Sequence, residues 1–184
     1  MSGATDATDE RDETDATDER DETDTTDETT ALGESYTEMT EVLLPNDTNP
    51  LGRALGGTVL HWMDMCGAVS ALRFANEQCV TVSMDHVDFI SSIEIGEIAV
   101  LEAYVFNTGR TSMDVRVEVR AENPITGERR KTTSSFLTFV AIDDDGKPTP
   151  VPDLVCETAA ETDLRDAAIE QRRTELEELV ERLE

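Results

Sequence analysis

The chain has 184 residues, 42 acids against 15 bases, and a formal net charge of −27. That length suits one folded domain with flanking segments, and a charge of that sign and size excludes duplex nucleic acid as a partner, because the two would repel. No run reaches the roughly 18 apolar residues of a membrane span, and residues 1–30 contain no apolar core of a secretion signal, so a soluble, cytoplasmic protein is expected.

Thirteen acids and two bases (Arg11, Arg20) lie in residues 1–30, which leaves −16 on residues 31–184. Lysine occurs only at Lys131 and Lys147, against thirteen arginines. This balance suggests an acid-coated protein of a salt-rich, halophilic cytoplasm, where cations screen the self-repulsion. Cys66, Cys79 and Cys156 are odd in number and lack metal-ligand spacing, which reads as free thiols in a reducing compartment.

Residues 7–15 and 16–24 repeat the unit Ala-Thr-Asp-Glu-Arg-Asp-Glu-Thr-Asp. With no apolar periodicity it cannot offset the entropy of ordering, so residues 1–32 are expected to be a disordered acidic tail. A folded domain is expected over 33–152. Its first strand spans Ser35 to Leu44, and a turn cluster from Pro45 to Pro50 follows.

The long apolar helix predicted from Gly56 to Asn76 dominates the chain. From Thr58 to Leu72 it is apolar on almost every side, so burial over most of its circumference is expected, with a second subunit covering what the sheet does not. Four β runs come next: Cys79 to Phe89, Ile98 to Asn107, Ser112 to Ala121 and Lys131 to Ile142. In the third, Met113, Val115, Val117 and Val119 alternate with Asp114, Arg116, Glu118 and Arg120. One strand, one helix and four strands joined by short turns predict an antiparallel sheet in an α+β fold. Residues 153–184 form a C-terminal amphipathic helix carrying Leu176, Leu179, Val180 and Leu183, with Leu164 and Ala168 on a thinner upstream stripe, either a coiled-coil seam between subunits or a helix docked on its own domain.

One carboxylate, Asp64, interrupts the apolar helix. A buried acid needs a reason, since desolvation disfavours its charged form. It can serve as a catalytic group, or it can be paired with Arg73, His61 or a Ser/Thr hydroxyl at a subunit interface. Asn49, Gly52, Gly56 and Gly57 lead into the helix, whose first turn exposes free N–H groups and a partial positive charge suited to an oxyanion. Gly57 and Asp64 share one stripe but stand ~10.5 Å apart along the axis. That is long for a base and an oxyanion site serving one carbonyl within one subunit, whereas facing helices of a dimer can bring them together. His61 and His86 have no cysteine at zinc spacing. A serine-hydrolase elbow and the nucleotide-binding glycine loops are absent.

The run Asn49-Pro-x-Gly52-x-x-x-Gly56-Gly57, then Met63-Asp64 and Gly67-Ala68, resembles the hotdog-fold acyl-CoA thioesterases of the cytosolic acyl-CoA hydrolase class. Val80-Thr81-Val82, Asp88-Phe89, Ile95-Gly96-Glu97, Gly109-Arg-Thr-Ser112 and the stretch Phe139 to Pro148 follow in the family's order. The resemblance implies a five-stranded sheet wrapped around the helix, a dimer forming a continuous sheet, and often a hexamer built as a trimer of dimers. It also implies hydrolysis of acyl-CoA without metal or other cofactor. Asn49 and Asp64 match the catalytic pair, drawn from opposite subunits, with Asp64 as general base or nucleophile. Gly56 and Gly57 match the backbone donors, and Gly109, Arg110, Thr111 and Ser112 match the turn beside the pantetheine arm, where Arg110 can meet a CoA phosphate. Several relatives carry histidine where this chain has Leu55, so no imidazole is expected there. A non-catalytic acyl-CoA-binding module or sensor is the alternative from another class, and a hotdog dehydratase would require His61 to work with Asp64.

Overall fold

The computed structural model describes residues 28–183; the nine-residue repeat lies outside the described residues, as does the side chain of Leu183. Five strands form one antiparallel sheet in the order β2-β4-β5-β6-β3, with β2 at Thr37–Val42, β3 at Gln78–Met84, β4 at Ile98–Thr108, β5 at Ser112–Glu122 and β6 at Arg129–Ile142. The helix α2, Gly56–Ala75, comes between β2 and β3 in sequence. Since those two strands are opposite edges of the sheet, the chain must cross the sheet through α2. The result is the expected hotdog arrangement.

Alternation explains why the middle strands hold the core. Val115, Val117 and Val119 of β5 are fully buried, as are Ala99, Leu101 and Ala103 of β4 and Leu137 and Phe139 of β6. They pack with Val59, Met63, Cys66, Ala71 and Phe74 of α2 in one cluster. Burial of these side chains is the dominant favourable contribution to the fold. Gly67 sets how near the helix can come: a Cβ there would stand 3.2 Å from the Phe139 ring. The helix ends at Asn76, whose left-handed backbone (φ 52°) lets its N–H donate to the Leu72 carbonyl.

The remaining face of α2 is not covered by the described residues. His61, Met65, Val69 and Leu72 are exposed, which leaves open the side for which a second subunit is the expected cover. Beside this face runs β3, an edge strand whose Val80 and Val82 are also exposed. β3 stops at Met84 instead of continuing to Phe89. A bulge between Thr81 and Ser83 shifts its register, and residues 85–92 then follow β6 through separate hydrogen bonds, Asp85 N–H to the Phe136 carbonyl at 2.8 Å and Ile90 N–H to the Thr132 carbonyl at 2.9 Å.

Two short strands were not foreseen. β1, Thr29–Ala31, pairs in parallel with β7, Asp153–Val155, and α1, Leu32–Ser35, follows β1 directly. The C-terminal helix α3, Ala159–Leu183, docks on its own chain. Its anchor is not the leucine stripe. Ala168 is fully buried in a cluster with Leu32, Tyr104, Phe106 and Phe136, and Arg172 pairs with Asp85 and Asp114, each at 2.9 Å, while its guanidinium lies 5.9 Å from the centre of the Phe136 ring. Leu176 and Val180 are exposed. Ala168 belongs to the thinner upstream stripe of the sequence pattern, whereas Arg172 carries no apolar signature.

Candidate active site

Asn49 sits in the tight loop between the turn at 45–47 and α2. Its Oδ1 accepts the N–H groups of Leu51 at 2.9 Å and Arg53 at 3.2 Å, and its own N–H donates to the Arg53 carbonyl at 2.8 Å. Gly52 allows the loop to close, with φ at +73°. With the Gly52 N–H donating to the Asn49 carbonyl at 2.9 Å, four backbone contacts fix the asparagine, and its side-chain NH2 is left without a partner among the described residues.

The loop delivers Leu55 in extended conformation to the start of α2, with no side-chain cap. Thr58 N–H and Val59 N–H both turn back to the Leu55 carbonyl. The N–H groups of Gly56 and Gly57 make no hydrogen bond among the described residues, so the helix opens on two uncommitted donors. Gly56 and Asn49 line one cleft of about 330 Å³, whose apolar side is Ala54, Val59, Ile93 and Phe89. Its rim is polar: Arg53 Nε and the Ser92 hydroxyl both donate to Glu94 Oε1, at 3.1 and 2.6 Å.

Asp64 does not line that cleft. It lies about two helical turns further on, where α2 meets β3, and it is half-buried rather than buried. Its Oδ1 accepts the hydroxyl of Thr81 at 2.7 Å. Of the partners weighed for it, a threonine hydroxyl is the one found. Arg73 donates instead to the Tyr36 carbonyl and the Thr37 hydroxyl, and His61 makes no hydrogen bond to the acid. The carboxylate thus has no cation against it among the described residues, and it borders the open face of the helix. In the sequence Thr81 stands out only within the family-like run Val80-Thr81-Val82, with no role of its own; its bond to the acid appears only in the fold.

Gly109, Arg110, Thr111 and Ser112 form the hairpin turn from β4 to β5, closed by Gly109 N–H to the Ser112 carbonyl at 2.9 Å. A side chain at 109 would collide with the Ser112 hydroxyl, 2.7 Å from a Cβ. Arg110 is exposed and has no acidic partner among the described residues, in contrast to Arg116, Arg120, Arg129 and Arg130, all ion-paired. An unpaired guanidinium on so acidic a chain is free to meet an anion. No group of three or more His, Cys, Asp or Glu placed to hold a metal occurs among the described residues, and no helix is long and apolar enough to cross a membrane. One chain therefore collects Asn49, Gly56 and Gly57 in one place, Asp64 with Thr81 in a second and the Arg110 turn in a third.

Residues 51–128 match the model of the thioesterase superfamily. The chain is 41% identical to the uncharacterized acyl-CoA thioester hydrolase YkhA of Bacillus subtilis, over 75% of this chain and 80% of that one. Among solved structures, it resembles an apo-hexameric acyl-CoA thioesterase at 43% identity, with a TM-score of 0.74 over 83% of this chain and 97% of that one. It also resembles an acyl-CoA hydrolase from Staphylococcus aureus in complex with butyryl coenzyme A, coenzyme A and coenzyme A disulfide, at 34% identity and a TM-score of 0.71 over 84% and 98% of the two chains. Alanine variants of that hydrolase replace an asparagine, an aspartate and a threonine, fifteen and then seventeen residues apart. Asn49, Asp64 and Thr81 stand at the same intervals. With this order of residues on this fold, the chain belongs to the thioesterase superfamily, among its acyl-CoA thioester hydrolases.

Proposed function

We propose that the protein hydrolyses acyl-CoA to free CoA and a carboxylic acid at a site shared between two copies of the chain, with Asp64 as general base. The observation that carries this reading is the placement of Asp64: half-exposed, held by one hydroxyl, with no cation against it among the described residues, and beside the helix face that those residues leave open. The apolar residues of that face and the unpaired edge of β3 suit a homodimer in which β3 meets its symmetry mate and the sheet continues. The minimal unit is that dimer, and a hexamer of three dimers is the proposed assembly.

In such a pair the acid of one subunit faces the Asn49 loop and helix start of the other. The thioester oxygen is received by the N–H groups of Gly56 and Gly57, donors already aimed and uncommitted. Because Asn49 Oδ1 is occupied by its own loop, the side chain offers substrate its NH2 and orients the attacking water or the carbonyl as a donor. Asp64 takes a proton from water as its oxygen bonds to the carbonyl carbon. The tetrahedral intermediate then expels the sulfur of CoA, and the proton held by Asp64 leaves with the thiol or to solvent. Arg110 pairs with a CoA phosphate, and Gly109, Thr111 and Ser112 border the pantetheine arm. The scheme uses no cofactor beyond the CoA thioester. A reducing, salt-rich cytoplasm is the proposed compartment, supported by three free cysteines; burial pushes the Cys66 thiol up to about 12.

The test is thiol release from a panel of acyl-CoAs, followed by subunit complementation. Asp64→Asn should lower turnover at least about a hundredfold with the oligomer intact, and Asn49→Ala should be similarly impaired. Co-expressed, the two variants should recover up to about a quarter of wild-type activity, because half of the sites in a mixed dimer receive both intact residues. Retained turnover in Asp64→Asn, or no recovery on mixing, would refute the shared site.

A further inference from the structure

The cleft beside Asn49 and Gly56 has a half-exposed phenyl ring on its wall. Phe89 is 49% exposed, unlike Val59 and Ile93 on the same cleft, which are 2% and 1% exposed. Its ring approaches the helix start so closely that a Cβ on Gly56 would lie 3.6 Å from two of its carbons. The ring therefore covers the flank of the very turn whose N–H groups are uncommitted.

Its mounting is firm on both sides. The Thr133 hydroxyl donates to the Asp88 carbonyl at 2.8 Å, and the Ile90 N–H donates to the Thr132 carbonyl at 2.9 Å. Both acceptor and donor on the sheet side come from β6, and Thr132 and Thr133 are buried. Pinned on either side and set on the apolar side of the cleft with Ala54, Val59 and Ile93, the half-exposed ring is placed to receive an apolar group.

We propose that Phe89 is the specificity-determining residue for the acyl group, its ring setting how much chain the cleft accepts next to the thioester carbon. This rests on the thioesterase reading, and the division of the substrate follows from chemistry. The cleft floor is apolar and suits hydrocarbon. The CoA arm carries amides and phosphates and belongs with polar donors and the unpaired Arg110. An acyl chain whose carbonyl is held at Gly56 and Gly57 has to pass the ring that packs on Gly56. Phe89 moves no proton and makes no bond; it acts by shape.

Two measurements on full-length protein separate this from the hydrolysis reading. The first is kcat/KM for butanoyl- and dodecanoyl-CoA with wild type, Phe89→Ala, Phe89→Leu and Phe89→Trp. Removing ring volume should raise the long-to-short ratio about tenfold or more, Leu should fall between, and Trp should lower it. The second is calorimetric binding of S-alkyl-CoA thioethers of the same chain lengths, which cannot be hydrolysed. If all the variants lose activity equally at both lengths and bind the thioethers in parallel with wild type, Phe89 does not set specificity and the inference is overturned. If wild type fails to turn over either thioester while the thioether affinities still shift with the size of residue 89, the hydrolysis reading fails and this one stands.

Discussion

The hydroxyl of Thr81 donates to Asp64 across the junction of β3 and α2 at 2.7 Å, one hydrogen bond from an edge strand to the carboxylate of the central helix. Thr81 lies beside the β3 bulge and opposite Phe139 in the sheet register. The strand that a partner subunit would pair with is thus the same strand that orients the acid. Thr81→Val keeps the shape and removes the donor. It should lower kcat by roughly ten- to a hundredfold, the loss expected for a misoriented base, while Thr81→Ser should restore most of it. Melting temperatures and oligomer size measured alongside distinguish orientation from collapse of the fold; equal activity in the Val and Ser variants would sink the idea.

Two glycines of α2 should give opposite results. A Cβ at Gly67 meets the Phe139 ring at 3.2 Å and Val117 at 3.4 Å, so Gly67→Ala should overpack the helix–sheet contact and cost about 1–3 kcal/mol. At Gly57 nothing lies within 4 Å of an added Cβ. Gly57→Ala should keep or raise stability by up to ~1 kcal/mol yet impair turnover, since the methyl would stand beside the proposed oxyanion donors. Denaturant midpoints together with thiol-release rates check the pair.

Arg110→Ala should raise KM for acyl-CoA by about tenfold or more, the contribution of a hydrogen bond to a charged group, with kcat little changed because the phosphate is bound alike before and during reaction. The same variant should bind a truncated pantetheine thioester as well as wild type does. A fall in kcat without a change in KM would place Arg110 elsewhere in the mechanism.

Acid should weaken the fold through Glu118. Burial works to raise its carboxyl, but Arg116, Arg120 and Lys131 outweigh this and hold it below the usual carboxylate value of 4.5. Arg130, by its hydrogen bond, likewise holds Glu97 low. A depressed folded-state value means the stabilisation is full above about pH 4.5 and is lost as pH falls through the lower folded value. Unfolding free energy in molar salt should be level above pH 5 and drop below 4.5, and Glu118→Ala, which leaves Arg116 unpaired, should cost about 3 kcal/mol or more at neutral pH and flatten the drop.

Salt itself should stabilise the protein. Screening length shrinks from about 10 Å at 0.1 M to about 3 Å at 1 M, and a net charge of −27 repels itself over the longer distance. The melting temperature should climb by roughly 10 °C between 0.1 and 2 M KCl, about 3 kcal/mol for a chain of this size. A flat response would remove the halophilic reading.

The residues that announced themselves in sequence were those with a periodic environment. β5 alternates because each of its side chains faces either the core or the outer surface, whereas the apolar run of α2 continues beyond the face that packs on the sheet, onto Met65, Val69 and Leu72, which stay exposed. Where environment changed within a few residues, the pattern misled. Val87 and Phe89 continue an alternation that β3 has already abandoned, because the bulge after Thr81 and the separate tethers at Asp85 and Ile90 carry no hydrophobic signature. β1 and β7, three residues each, are too short for any period. The tie between Thr81 and Asp64 joins positions seventeen apart on different elements, a relation that only the folded register creates. On α3 the stronger leucine stripe near the end stays largely exposed, and the contact is made by Ala168 of the thinner upstream stripe and by Arg172, which no apolar pattern marks.

The parallel ladder of Thr29 with Asp153 and Ala31 with Val155 has a consequence for biosynthesis. The earliest strand cannot find its mate until 124 further residues have left the ribosome, a wait of roughly 6–25 s at ordinary translation speeds. Through that interval Thr29–Ala31 has no ladder partner, and its pairing becomes possible only after every strand of the five-stranded sheet has been made.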